Sequence, residues 1–287
     1  MNKLACGCPY VTFENYKNRH MTQYYDKLNK RLVYIGDASN SGFWDKHWTK
    51  NTIKKMYSKK VSSFDYVINS TKKQLSKNSL ILEGGCGTGQ QVFKLQKSGY
   101  KVIGVDYAEK TVKTVKQANP ELDIRLGDVR KLDFSNNYFD GYWSFGVIEH
   151  FYDGYNEILK EMQRVIKPER YLFITFPHMS KLRKFKARKN KYPIWENNEN
   201  EISNFYQFAL NEKTVIQDLK KLNFKLVQTH HLAGIKGLKD EISFLKKPLQ
   251  KIYNSRRITG KILSGIISLI FNHFTSHSIL LILQKEK

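Results

Sequence analysis

Short apolar runs alternate with amphipathic stretches from residue 79 onward. Runs of strand length are centred on Ile81, Ile103, Ile124, Trp143 and Phe173, and between them residues 89–98, 108–118 and 154–166 place apolar side chains at helical spacing. The pattern predicts strands over 80–83, 101–105, 122–126, 140–144 and 170–176. Pro120 and Pro168 are expected to stop the second and third of the helices, since proline lacks the amide hydrogen that a helix interior needs. Such alternation specifies an α/β fold, a doubly wound and mostly parallel sheet covered on both faces. Strands expected over 224–229 and 278–283 bring that sheet to seven, and Asn211 is a suitable N-cap for a helix running to Leu222 between the two halves of this region.

Upstream, the pattern predicts helices over 22–32, 43–59 and 64–75. Residues 1–78 are therefore expected to form an N-terminal helical cap, ahead of a sheet domain over 79–287 with insertions at 178–210 and 233–276. The second insertion holds a helical stripe. Ile262, Leu263, Ile266, Ile267, Ile270 and Phe274 recur at steps of three and four, with Ser264, Ser268 and Asn272 largely opposite. Two placements are open to it: in the interface of an anionic membrane, which the preceding lysines and arginines favour, or folded inward as a lid over a substrate pocket.

Charge sharpens the division of the chain. Of a net +23, residues 1–78 hold 15 basic and 5 acidic side chains, residues 79–177 hold 13 of each, and residues 178–287 hold 21 and 8. A neutral core with basic flanks points to a negatively charged partner, whether a phosphorylated small molecule, an anionic membrane or RNA. Three cysteines give no disulfide framework, Cys6 and Cys8 lack the further ligands of a closed zinc site, and no apolar run reaches the length of a secretory leader or membrane span. A cytoplasmic protein, with membrane association at its surface, is expected.

The chemistry gathers at the strand tips. Glu83 leads into a loop with Gly85, Gly87 and Gly89, a spacing that lets backbone amides approach a nucleotide-sized ligand. Asp106 ends the second strand, where a ribose diol would be held, and Asp128-Val129 follows the third. Nicotinamide dehydrogenases usually show Gly-x-Gly-x-x-Gly instead, and the chain contains no Tyr-x-x-x-Lys pair.

Glu83-x-Gly85-x-Gly87-x-Gly89, Asp106, Asp128-Val129, Phe139 to Ser144, Gly146-Val147-Ile148-Glu149-His150 and Arg164 to Thr175 together resemble the class I S-adenosylmethionine-dependent methyltransferases, of the type 11 kind, over roughly residues 79–177. The usual Pro-Gly-Gly before the fifth strand is Pro168-Glu169-Arg170 here. The resemblance implies a Rossmann-like sheet and S-adenosylmethionine as cofactor. It implies that Glu83 supports the glycine loop and the methionine end, that Asp106 holds the ribose and that Asp128 and Val129 meet the adenine, with Cys86, Tyr107 and Phe145 completing the cofactor-binding set. It also implies an N-terminal cap that brings Tyr24, Tyr25, Trp44, His47 or Trp48 near the substrate. His150 and Glu149 are the candidate catalytic residues, as a general base for a hydroxyl acceptor or as walls of the methionine pocket. Some quinone-pathway O-methyltransferases that resemble this segment carry a metal-binding glutamate three positions before that glutamate; Gly146 stands there, so no metal is expected. The implied acceptor is a small molecule, amphiphilic or phosphorylated, such as a lipid-linked species, quinone precursor or glycan intermediate. An RNA methyltransferase using the basic flanks is the alternative, without the Asn/Asp-Pro-Pro-Tyr sequence of amino-group methylators or a cysteine near the cleft besides Cys86. A non-catalytic binding protein would require a damaged cofactor site, and these residues are intact.

Overall fold

The computed structural model describes residues 21–36, 53, 57, 65–255 and 257–287. Of these, one compact unit holds 21–36, 175–215, 229–255 and 257–280, and a second holds 53, 57, 65–174, 216–228 and 281–287.

The first strands are β1 (Thr22–Asp26) and β2 (Arg31–Ile35), an antiparallel hairpin where the pattern predicts a helix. The turn explains the correction. Asp26 accepts from the Asn29 backbone amide at 3.0 Å and its side-chain amide at 2.7 Å, Lys30 takes φ +52°, and Arg31 Nε reaches back to Asp26 at 2.9 Å. A carboxylate closing its own turn competes with helix formation, and the flanking Tyr, Leu, Val and Ile residues suit a pleated surface. The helix expected over 43–59 lies outside the described residues except at Ile53 and Tyr57, which are helical.

The second unit carries the alternating pattern: α1 (Tyr66–Gln74), β3 (Leu80–Gly84), α2 (Gln90–Lys97), β4 (Lys101–Asp106), α3 (Glu109–Ala118), β5 (Asp123–Leu126), β6 (Phe139–Phe145) and α4 (Asn156–Val165). Next comes β7 (Ile166–Pro177), which starts directly after α4. Pro168 therefore lies within a strand, which begins four residues earlier than expected. Extended backbone accommodates the fixed φ of proline where the neighbouring residues 168–170 are exposed. The remaining elements are α5 (Lys181–Arg188), α6 (Glu199–Ile202), β8 (Phe205–Ala209), α7 (Glu212–Lys221), β9 (Phe224–Leu232), α8 (Gly234–Glu241), α9 (Ser243–Asn254), α10 (Ile258–Thr275) and β10 (Ser278–Lys285).

Seven strands form one sheet in the order β5-β4-β3-β6-β7-β10-β9. The pairs β3·β4, β3·β6 and β4·β5 are parallel, with Leu82 opposite both Ile103 and Tyr142. Chain order reverses at β3, between β4 on one side and β6 on the other. Ligands in such sheets bind beyond the carboxyl ends of the strands at this switch point. Under it, Trp143 stacks on Phe145 and on Phe173 at centroid distances of 4.5 and 4.4 Å, and its indole nitrogen donates to Thr71 Oγ1 of α1 at 3.0 Å.

In the first unit, β2 pairs with β8, placing Leu32 opposite Ala209 and Val33 opposite Phe208, so the chain near residue 30 is completed by the insertion 178–210. A buried ionic cluster joins α5 to α8. Arg183 Nε meets Glu241 Oε1 at 2.8 Å, while Lys186 and the Tyr192 hydroxyl reach Glu241 Oε2 at 2.7 and 2.6 Å. Arg183 also donates to the carbonyls of His178 and His277, at 2.8 and 3.2 Å.

Candidate active site

The loop after β3 is held by backbone and by one carboxylate. Gly85 and Cys86 donate their amides to the Val105 carbonyl at 2.8 and 3.0 Å, and the Gly89 amide closes onto the Cys86 carbonyl at 2.8 Å. Gly85, Gly87 and Gly89 all take left-handed φ, between +49° and +72°, which side chains other than glycine's adopt at a cost. Gly85 is constrained twice, because a Cβ there would lie 2.5 Å from Val147 Cγ2. That approach brings the loop after β3 against the loop after β6, where Glu149 and His150 stand in a short 3-10 turn, Ile148–His150.

Asp106, buried at the tip of β4, ties this loop to the start of α3. Its Oδ2 accepts from the Gly87 amide at 2.7 Å and its Oδ1 from the Ala108 amide at 2.9 Å. The carbonyl of the same residue accepts from Gly127 at 3.0 Å, which brings the end of β5 alongside. Glu83, the glycines, Asp106 and the Asp128-Val129 pair are thus assembled along one edge, as the spacing implies.

Two acids in this region are buried with only partial compensation. Burial pushes the Glu83 carboxyl well above the usual carboxylate range, with the charge of Asp106 adding to it against a hydrogen bond from the Val92 amide. Burial also raises Glu149 from 4.5 to about 8. Glu83 Oε2, Gln90 Oε1, Ser144 Oγ and Glu149 Oε2 have no hydrogen-bond partner among the described residues. Buried polar atoms are almost always paired, so four such atoms around the carboxyl ends of β3 and β6 fit a polar ligand that donates hydrogen bonds and carries positive charge.

The other expected positions differ in character. Asp128 is half-buried and gripped by Arg130 at 2.6 to 3.1 Å, which holds its carboxyl below the ordinary value, while Val129 beside it is buried. Tyr107 is exposed at the rim. Phe145 is an end of the Trp143 stack and is buried there. Burial, reinforced by Asp106 and Glu83, drives the Cys86 thiol far up, so it is no nucleophile. Tyr24 belongs to the hairpin, where its ring meets Trp195 edge-on at 5.4 Å and its hydroxyl donates to Glu201. Trp44, His47 and Trp48 lie outside the described residues. The aromatic side chain placed on the glycine loop is Tyr57, whose hydroxyl donates to the Thr88 carbonyl and whose ring packs on Phe93 at 5.1 Å. Its helical step of four from the buried Ile53 was the signal available in the sequence.

Residues 82–174 match a family model described as a methyltransferase domain. A protein described as a probable S-adenosylmethionine-dependent methyltransferase, from Mycolicibacterium smegmatis, is 27% identical over 161 residues, which cover 55% of this chain and 58% of the relative. The malonyl-(acyl-carrier protein) O-methyltransferase of Buchnera aphidicola subsp. Baizongia pistaciae is 28% identical over 144 residues, covering 50% of this chain and 58% of that protein. The chain therefore spans well under two thirds of either relative. Among solved structures, the methyltransferase in the complex with the Trm112 methyltransferase activator of Haloferax volcanii superposes with a TM-score of 0.55 at 10% identity, covering 86% of this chain and 98% of that one. An S-adenosylmethionine-dependent methyltransferase of Methanosarcina mazei gives 0.50 at 16% identity, covering 79% and 99%. At these identities the structural likeness shows the fold alone.

Proposed function

We propose, from the class I S-adenosylmethionine-dependent methyltransferase domain that residues 82–174 form, that this protein transfers a methyl group from S-adenosylmethionine to a small amphiphilic or phosphorylated acceptor. The observation that carries the reading is the Asp106 carboxylate bonded to Gly87 and Ala108, beside the buried Glu83 and Glu149, each with one oxygen that lacks a partner among the described residues. S-Adenosylmethionine is the cofactor of the domain and supplies an electrophilic methyl carbon on a sulfonium. The residues present fit it. Glu83 and Glu149 would accept hydrogen bonds from the methionine ammonium and complement the positive charge. Asp106 would hold the ribose hydroxyls, and Val129 with Asp128 would border the adenine. The rest of the work is to hold the acceptor in line with the methyl group, which is worth several powers of ten in rate without any covalent role for the protein. A hydroxyl acceptor must also lose a proton, and His150, half-buried next to Glu149 in the turn after β6, is our candidate to take it.

An acidic acceptor is supported by the basic balance of residues 178–287 and by one relative's name, which specifies O-methylation of a malonyl group carried on an acyl-carrier protein. RNA is the alternative that the same positive charge would serve. Incubating a cell extract with purified protein and methyl-labelled S-adenosylmethionine, then separating lipid, glycan, RNA and small-molecule fractions, distinguishes them. Label in the lipid or small-molecule fraction is expected; label confined to RNA would overturn the acceptor class.

Glu149 gives the pH dependence its sign. With its carboxyl raised to about 8, the free protein holds it protonated at neutral pH, and a cationic ligand favours the ionised form. Cofactor affinity should therefore rise with pH by up to about tenfold per unit below that value and level off above it. Titrations between pH 6 and pH 9 check this; Glu149→Gln should flatten the profile, and a pH-independent wild-type affinity would remove the cation-binding role. Chelators are expected to leave turnover intact, because Gly146, in left-handed backbone at φ +66°, offers no side chain three positions before Glu149. Loss of activity in EDTA restored by magnesium would contradict this.

A further inference from the structure

Helix α10 is packed inside out. Its fully buried positions are Ser264, Ser268 and Thr275; Ile267 packs on Ile235, Leu238 and Leu249, and most of its other apolar residues are exposed. The reason lies in α8 opposite. A Cβ on Gly237 would fall 1.5 Å from the Thr275 carbonyl oxygen, and one on Gly234 would fall 2.8 Å from the Asn272 amide nitrogen, so these two helices approach along a seam that only small residues fit. Polar bonds fix the register. Asn272 Oδ1 accepts from the Gly234 amide at 2.7 Å, and the Thr275 hydroxyl donates to the Gly234 carbonyl at 2.9 Å. With Ser268, Asn272 and Thr275 bonded to α8 and Ile267 packed on Ile235 and Leu238, the helix leaves most of its larger side chains outside. The inward placement of the stripe, as a lid, is therefore not the one adopted: Leu269 is 78% exposed, Ile270 65%, and Leu263, Ile266 and Phe274 more than a third each. On α9, Phe244 is 81% exposed.

A contiguous apolar face of this kind on a soluble chain marks an interaction surface. Its surroundings say which. No aspartate or glutamate occurs from residue 242 to residue 285, and Lys246, Lys247, Lys251, Arg257 and Lys261 are all exposed on the same two helices and the link between them. A second copy seated on this face by two-fold symmetry would bring those cations against their own images. An anionic surface would neutralise them. Among the described residues no helix is long and apolar enough to cross a membrane, so the helix would lie on one rather than through it.

We propose that α10 is a membrane-surface helix, seated in the headgroup region of a bilayer rich in anionic phospholipid. Leu269, Ile270 and Ile266 enter the acyl boundary, and the lysines and Arg257 meet lipid phosphates. The proposal goes beyond methyl transfer and does not depend on it: the seam between α8 and α10 is built from residues that take no part in the cofactor site.

Cosedimentation of the 287-residue chain with vesicles tests it. Vesicles of phosphatidylcholine alone are compared with vesicles holding about a third phosphatidylglycerol, a fraction that gives a strongly negative surface, at low and high salt. The protein is expected to pellet with the anionic vesicles at low salt, and at least about tenfold more weakly with the neutral ones. The variant Leu269→Glu/Ile270→Glu, altered only at exposed positions, should lose vesicle binding by a similar factor while its affinity for S-adenosylmethionine stays that of the wild type. Three results would overturn the proposal: wild-type protein left in the supernatant with anionic vesicles at low salt, a double variant that pellets as well as the wild type, or a concentration-dependent dimer in sedimentation velocity that the double substitution abolishes. None of the three bears on whether the protein binds S-adenosylmethionine.

Discussion

Asp106→Ala should weaken S-adenosylmethionine binding by at least about 100-fold in a protein that stays folded. The carboxylate does two jobs. It accepts from the Gly87 and Ala108 amides at 2.7 and 2.9 Å, setting the loop after β3 and the entry to α3, and in our reading it also receives the ribose hydroxyls. A hydrogen bond to a charged group is worth about 1.5–3 kcal/mol, and the alanine loses the ribose contact while releasing both amides that shape the loop. Two such losses place the effect between two and four powers of ten in affinity, at about 1.4 kcal/mol for each power. Asp106→Asn should fall between, since the amide oxygen still accepts one of the two backbone bonds. Titration calorimetry on the three proteins checks the order. Affinity in Asp106→Ala within about threefold of the wild type, less than 1 kcal/mol, would show that neither job belongs to this residue.

Glu241→Ala should cost about 3–5 kcal/mol of stability, the usual range for leaving a buried partner charge uncompensated. Arg183 and Glu241 side chains are each 1% exposed and 2.8 Å apart, with Lys186 and Tyr192 on the second carboxylate oxygen. Removing the acid strands a guanidinium that has no route to water, although the His178 and His277 carbonyls still accept from it. In a chain of this size the melting temperature should drop by about 10 °C. Burial acts to raise the Glu241 carboxyl, but the charges of Arg183 and Lys186 outweigh it and hold it below its ordinary 4.5. A depressed carboxylate contributes stability above that value and loses it as pH falls through the folded-state value, so the wild type should lose this part of its advantage on acidification while Glu241→Ala does not. Replacing both partners, Arg183→Met with Glu241→Met, should cost far less than the single change. Thermal melts at neutral and acid pH measure all three. A single substitution within about 0.5 kcal/mol of the wild type, the range of an ordinary surface change, would show that the cluster is not a structural clamp.

Much of the second unit was legible because its signals are local. An apolar run, a carboxylate and evenly spaced glycines identify a strand, its tip and a tight loop within a dozen residues, and the strand spacing then places Asp106 and Asp128 on the same edge. The hairpin at 22–35 carries a helix-like pattern because Tyr24, Tyr25, Leu28 and Leu32 fall at helical steps as readily as at strand ones. The deciding feature, Asp26 closing a turn on Asn29, lies in two polar residues that periodicity ignores. Pro168 stands where a helix stop is expected, but the chain is already extended there. In α10 the period showed that one face is apolar but not which way it points. That was decided by Gly234 and Gly237, some 30 to 40 residues away in sequence, which take the polar seam and leave Leu269 and Ile270 outside. The Arg183–Glu241 cluster left no trace in any window, since its members are 58 residues apart.

The central claim is that the strand-tip loop of this chain holds S-adenosylmethionine, and calorimetric titration of that cofactor into the purified chain tests it most directly. The account predicts saturable binding at one site, tightening from pH 6 to pH 8 as Glu149 ionises; a folded protein that gives no binding heat at millimolar cofactor at any of these pH values would contradict it.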